Sequence, residues 1–186
     1  MSPGRRAPSL PDMKLLIAYD GSADAKAAVR LAARLFDGHT AIVLTVWDAF
    51  SEVMSRAAGG YAAASLEFDE INRECQRRAH EVAEEGTGHA RAAGLPASSQ
   101  TARRRATVAE TIVEQADELG ADVIVLGSRG RTGAAASLLG SVSRAVLARA
   151  DCPVLVVPAP EVADHRARQR GRAHSTVAAD FVAPRR

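Results

Sequence analysis

The sequence predicts an open, doubly wound α/β fold around five parallel strands. Two observations predict it. Short β-branched apolar runs alternate with segments of helical spacing between residues 14 and 157, in the order β-α-β-α-β-α-β-α-β. Strands joined through helices must run parallel, with right-handed crossovers. A closed eight-fold barrel would need about eight such units, and only about four are present.

Each element has its own signal. Residues 14–19 (KLLIAY) form an apolar run suited to a strand buried on both faces, ending in Asp20-Gly21-Ser22. Ala25, Ala28, Val29, Ala32, Leu35 and Phe36 then recur at helical spacing. Ser22 is placed to cap that helix and Asp37-Gly38 to stop it. Residues 41–47 (AIVLTVW) give a second strand, with Trp47 as a packing residue at its end. The stretch 48–65, with Gly59-Gly60, reads as a loop containing at most a short helix.

A long charged, alanine-rich helix is expected from about residue 65 to 93, closed by Gly94-Leu95-Pro96. Gly86 and Gly88 lie inside it. Each helical glycine costs about 1 kcal/mol relative to alanine, so a kink or fraying is expected there. Residues 98–104 alternate weakly and suit a strand near the sheet edge. Thr107 and Glu110 have capping-box spacing ahead of Val108, Ile112, Ala116 and Leu119, and Gly120 ends that helix. Residues 122–126 (DVIVL) run as a strand into Gly127, and 128–139 begin as a loop. Gly140-Ser141 opens a last helix, and Cys152-Pro153 leads into the strand 154–157.

One folded unit at 13–160 is expected, between an arm at 1–12 and an Arg-rich disordered tail at 161–186. The net charge of +2 divides unevenly: the arm carries +1, the tail +3 and the body −2. A basic surplus confined to the ends argues against a dedicated nucleic-acid-binding body. No apolar run is long enough to span a membrane, and Cys75 and Cys152 are too few for a disulfide scaffold. A cytoplasmic location is the expectation. Cys152 reads as a small buried hydrophobe. The five histidines, His39 among them, show no metal spacing and read as surface residues, and Arg103-Arg104-Arg105 reads as a solvated patch.

In an open α/β sheet, ligands bind at the carboxyl ends of strands where the strand order reverses. Asp20 follows the first strand; GSRGRTGAAASLLGSVS, beginning at Gly127, follows the fourth. Its spacing is Gly127-x2-Gly130-x9-Gly140-Ser141. Glycines permit close backbone approach to an anion or positive φ, and a helix N-terminus favours phosphate. Ser141 and Ser143 add hydroxyls, and Arg129 and Arg131 add charge. The alternative is a glycine-rich turn that merely connects strand to helix, as Asp20 could merely cap the first helix. Lys14 and Lys26 are the only lysines, and neither a Walker-type loop nor G-x-G-x-x-G is present.

These pieces resemble the universal stress proteins of the ATP-binding type. The matching segments are KLLIAYDGS (14–22), IVLTVWD (42–48), GADVIVLGSRGRTG (120–133) and LLGSVSRAVLARADCPVLVV (138–157), covering roughly 13–158. The resemblance implies a Rossmann-like sheet of order 3-2-1-4-5 that binds an adenine nucleotide. Asp20 would lie near ribose and adenine, and Val46 would offer backbone contacts to adenine. Gly127, Ser128, Arg129, Gly130, Arg131, Gly140, Ser141, Val142 and Ser143 would line the phosphates. ATP, AMP or ADP would be the nucleotide, with Mg²⁺ or Mn²⁺ bridging phosphates and no metal site of protein ligands. The resemblance also implies a homodimer through the last strand, Val154, Leu155, Val156 and Val157.

Where the chain departs from the family, 50–64 is positioned to cover the nucleotide, and Gly133-Ala134-Ala135-Ala136 is bare enough to need the ligand for order. The functional expectation is a stress-response nucleotide sensor regulating an unidentified protein, without membrane attachment. Alternatives are a slow ATPase or self-phosphorylating enzyme, with Ser141 or Ser143 as acceptor, and a nucleotide-free interaction module working through the dimer and tail.

Overall fold

The computed structural model describes residues 12–57, 67–130 and 139–159. Five strands form one parallel sheet: β1 (Lys14–Ala18), β2 (Thr40–Trp47), β3 (Ala97–Arg103), β4 (Val123–Gly127) and β5 (Val154–Val157). Their order is β3-β2-β1-β4-β5, and every pairing is parallel. The helices are α1 (Ala23–Leu35), α2 (Phe50–Ala57), α3 (Glu67–Ala92), α4 (Val108–Leu119) and α5 (Ser141–Leu147).

The period-two alternation of the central strands divides the core into two layers. Leu15, Ile17, Val43, Val123 and Val125 join buried residues of α1 and α3 on one face. Leu16, Leu44, Ile124 and Leu126 join Ala109, Ile112 and Ala116 of α4 and Val146 of α5 on the other. The central strands are therefore apolar at consecutive positions because both faces are covered.

Local chemistry sets the helix ends. The Ser22 hydroxyl accepts the Ala25 N–H and caps α1, and Thr107 accepts the Glu110 N–H at 3.1 Å. The Glu110 carboxylate lies 3.7 Å from Arg149, just past the end of α5, rather than completing a reciprocal capping box. Gly120 ends α4 with φ +62°, in the left-handed region that glycine favours.

Several expectations are corrected, but residues 50–57 form the short helix that the reading of 48–65 allowed for. The ring of Phe50 packs on Phe68, and its N–H donates to Asn72 Oδ1 at 2.7 Å, so α3 supports α2. Helix α3 runs unbroken through Gly86 and Gly88. Gly86 is there for packing: a Cβ would sit 2.8 Å from the Tyr19 ring and 2.9 Å from Val43. The helix thus lies closer to the sheet than any side chain would allow.

A Gly86→Ala variant should gain about 1 kcal/mol in helix propensity but lose about 1–3 kcal/mol to overpacking. Net destabilisation in urea is expected. Gly88, where a Cβ would meet nothing within 4 Å among the described residues, supplies the contrast: Gly88→Ala should be stabilising. A stabilised Gly86→Ala would contradict this account.

His39 is buried rather than superficial, and its Nδ1 accepts the Met13 N–H at 3.1 Å, anchoring the entry to β1. In the arginine triplet, Arg103 and Arg105 are exposed, in keeping with a solvated patch, and all three arginines are paired. Arg103 pairs with Glu52 at 2.6 Å, Arg104 with Asp48 at 3.2 Å, and Arg105 with Glu114 and Glu118 at 3.2 and 3.3 Å. Cys152 is half-buried against the α4–α5 layer, and burial pushes its thiol up. The arm at 1–11 and the segments 58–66, 131–138 and 160–186 lie outside the described residues. No helix among the described residues is long and apolar enough to cross a membrane.

Candidate functional site

The strand order reverses at β1, whose partners β2 and β4 send their connections to opposite sides. A cavity of about 340 Å³ opens at the carboxyl ends of these three strands. That volume lies within the ordinary range for small-molecule sites, roughly 300–1,000 Å³. Its inner wall is apolar, from Leu44, Val46, Val108, Ile112 and Leu126. Its other wall combines Asp20 with glycines and short polar residues from β4 and α5.

The sequence-derived candidates Asp20, Val46, Gly127, Arg129, Gly130, Gly140, Ser141, Val142 and Ser143 all line this cavity. Arg131 lies outside the described residues. Ser128 does not line it. Its side chain is buried, and its hydroxyl donates to Asp24 Oδ2 at 2.7 Å. Ser143 lines the cavity but has no free donor: its hydroxyl donates to the Ser128 carbonyl at 2.9 Å. Its single proton is engaged by backbone, with the Gly140 carbonyl also within 3.2 Å. Ser141 is exposed at the start of α5.

Close approach explains the glycines. A Cβ on Gly127 would lie 2.8 Å from Asp24 Cβ and 2.9 Å from the Ala25 nitrogen; one on Gly130 would lie 2.9 Å from Asp20 Oδ2. The Gly140 N–H donates to the Ser128 carbonyl at 2.7 Å, and a Cβ there would approach that oxygen to 3.3 Å. Among described glycines, positive φ occurs at Gly21, Gly38, Gly94 and Gly120, and not at these three. The loop glycines therefore serve proximity rather than left-handed geometry.

Asp20 Oδ1 accepts the Ser22 N–H at 3.0 Å in an Asx-type turn, while Gly21 takes φ +79°. This turn holds the carboxylate at the end of β1, with Oδ2 facing Gly130.

The ladder sets the backbone at Val46. Even-numbered residues of β2 bond toward β1: Thr40 N–H donates to Met13, and the Leu44 carbonyl accepts from Tyr19 at 2.8 Å. Beyond Tyr19 the chain turns away, and its carbonyl instead accepts the Thr45 hydroxyl at 2.9 Å. Alternation thus turns the N–H and C=O of Val46 toward β1's side of the sheet, past the end of β1.

Sequence reasoning missed Asp24, Tyr19 and the apolar wall. Tyr19 packs under Gly86, and burial and the nearby Glu85 carboxylate push its phenol above its ordinary range. Glu85 is held below the usual carboxylate range by Lys26, which it meets at 2.8 Å. Among the described residues, no group of three or more His, Cys, Asp or Glu could hold a metal ion.

The sequence profile described as "Universal stress protein family" matches residues 13–158. The chain belongs to the universal stress protein family. A universal stress protein from Mycolicibacterium smegmatis is 34% identical over 161 residues, 86% of this chain and 53% of that protein. The chain thus spans about half the length of that relative.

Among solved universal stress protein folds, MJ0577 of Methanocaldococcus jannaschii is 25% identical. Its TM-score is 0.64, with 80% of this chain and 97% of that chain covered. The universal stress protein from Archaeoglobus fulgidus in complex with dAMP is also 25% identical. Its TM-score is 0.52, with 80% of this chain and 99% of that chain covered. The shared universal stress protein architecture includes the five-stranded parallel sheet of order 3-2-1-4-5 with helices on both sides.

Proposed function

We propose that this universal stress protein is a regulatory binder of adenine nucleotides, with ATP as its principal ligand. The observation that carries this reading is the convergence of two unlike walls in one cavity at the strand-order reversal. The apolar wall suits a planar base. The N–H and C=O of Val46 offer a donor and an acceptor, which match the adjacent acceptor and donor on adenine. The Asp20 carboxylate suits ribose hydroxyls. The glycine-rich wall, with Arg129 and the exposed Ser141, suits phosphate. The dAMP complex of the Archaeoglobus fulgidus relative supports the ligand class.

A Mg²⁺ or Mn²⁺ ion would be held chiefly by the phosphates, as magnesium commonly is in nucleotide sites. When bound, it would neutralise phosphate charge. Residues 13–160 are proposed as the nucleotide-binding unit. β5 is an edge strand bonded only to β4 within the sheet, which suits pairing with a second copy. Slow self-phosphorylation is the enzymatic form of the same reading. Ser141 is then the acceptor, because the Ser143 hydroxyl is buried and already donating.

Titration calorimetry with Mg-ATP is expected to give a saturable isotherm of roughly micromolar Kd, equivalent to about 8 kcal/mol. A flat titration that also leaves thermal stability unchanged removes the proposal. Turnover above about 1 s⁻¹ would instead place the protein among ordinary enzymes.

A further inference from the structure

We propose that Asp24 is a positioning residue for the anion-facing wall of the cavity, acting from beneath the Gly127–Gly130 segment. It lies in the first turn of α1, outside every motif that marks the site, and is 5% exposed. Its Oδ2 accepts the Ser128 hydroxyl at 2.7 Å and the Arg129 N–H at 3.1 Å. Ser128 in turn presents its carbonyl to the Ser143 hydroxyl at 2.9 Å and the Gly140 N–H at 2.7 Å. One carboxylate thus begins a chain that ties the end of β4 to the start of α5, and both glycine segments of the wall hang from it.

The backbone requires this arrangement. Gly127 lets Asp24 approach the strand end, because any Cβ there would collide with Asp24 itself. The N-terminus of the 13-residue helix α1 favours a negative side chain in its first turn. With two donors already on Oδ2, the Arg129 side chain is not needed to satisfy Asp24. Its Nε stands 3.8 Å away, beyond hydrogen-bond distance, and has no hydrogen-bond partner. The ion pair is therefore loose, and Arg129 lines the cavity. Asp24 fixes the backbone of Arg129 while leaving its guanidinium to turn toward an anion.

This inference rests on the proposed nucleotide site only for its ligand readout. The test compares Asp24→Ala with Asp24→Asn, which retains a carbonyl acceptor. It uses the full chain, with circular dichroism to confirm folding. Two readouts are taken: amide hydrogen exchange at residues 128–130 without ligand, and titration with Mg-ATP.

Asp24→Ala is expected to raise exchange at the Arg129 amide by about tenfold or more, a tenfold change corresponding to about 1.4 kcal/mol. It should also weaken Mg-ATP by about tenfold or more, while Asp24→Asn restores most of both. Exchange unchanged in Asp24→Ala would overturn the positioning role, whatever the ligand does. Faster exchange in a folded variant with undiminished Mg-ATP affinity would also overturn it. If the wild type binds no adenine nucleotide, the nucleotide reading fails separately. The exchange arm then still decides whether Asp24 holds the segment. Should Asp24→Ala not fold, Ser128→Ala removes one of the same bonds from the other side. It is expected to loosen exchange at Arg129 and Gly140, and unchanged exchange there would overturn the proposal.

Discussion

Gly127→Ala is expected to destabilise the protein by about 2–4 kcal/mol, more than most single substitutions do. The new methyl would stand 2.8 Å from Asp24 Cβ and 2.9 Å from both the Ala25 nitrogen and the Asp24 carbonyl carbon. Two of these are backbone atoms in the first turn of α1 and cannot rotate aside. Relief requires α1 to move away from β4. Such movement would loosen the packing of Ala25, Ala28 and Val29, which are almost fully buried, and stretch the bonds from Ser128 and Arg129 to Asp24. Thermal unfolding should show a Tm lowered by roughly 5–15 °C, at about 2–4 °C per kcal/mol for a chain of this size. A Tm within about 1–2 °C of wild type, roughly the effect of a neutral surface change, would mean that helix and strand are not so closely apposed.

Gly130→Val should separate binding from folding. Among the described residues, a Cβ here meets only Asp20 Oδ2, at 2.9 Å, which is the far end of a side chain. The atom in the way belongs to a side chain rather than to packed backbone, so the Tm is expected to fall by less than in Gly127→Ala. Under the proposed function, the displaced carboxylate would leave the ribose, and the branched side chain would stand between the backbone and a phosphate. Mg-ATP affinity should fall by about 100-fold or more, roughly 2.7 kcal/mol. The measurement is calorimetric titration alongside thermal unfolding. Unimpaired affinity in a folded Gly130→Val would place the nucleotide elsewhere in the protein.

The contrast between these glycines marks what the sequence could and could not show. The parallel sheet and its helices were legible because β-branched runs and helical spacing are local signals. The positions of Asp20 and Gly127 at strand ends follow from them. The distinct duties of Gly127 and Gly130 were not legible, since each depends on which atom stands opposite after folding. Asp24 was hidden for the same reason. Its partner Ser128 is 104 residues away, and an acidic residue in a first helical turn is ordinary on dipole grounds alone.

Gly86 shows propensity overruled by packing: a residue unfavourable in a helix is retained because Tyr19 and Val43 occupy the space of a side chain. The burial of His39 was not legible because its partner Met13 is brought to it only by the fold, as are the carboxylates that pair with the arginine triplet. The bond from the Ser143 hydroxyl to the Ser128 carbonyl was hidden likewise, since 15 residues separate the two.

The most direct test of the nucleotide site is the identity of the small molecule released when the purified protein is denatured. An adenine nucleotide is expected, detected by mass and ultraviolet spectrum, and lost from the folded Gly130→Val variant. A guanine nucleotide or a non-nucleotide ligand recovered in stoichiometric amount, and still held by Gly130→Val, would contradict that reading.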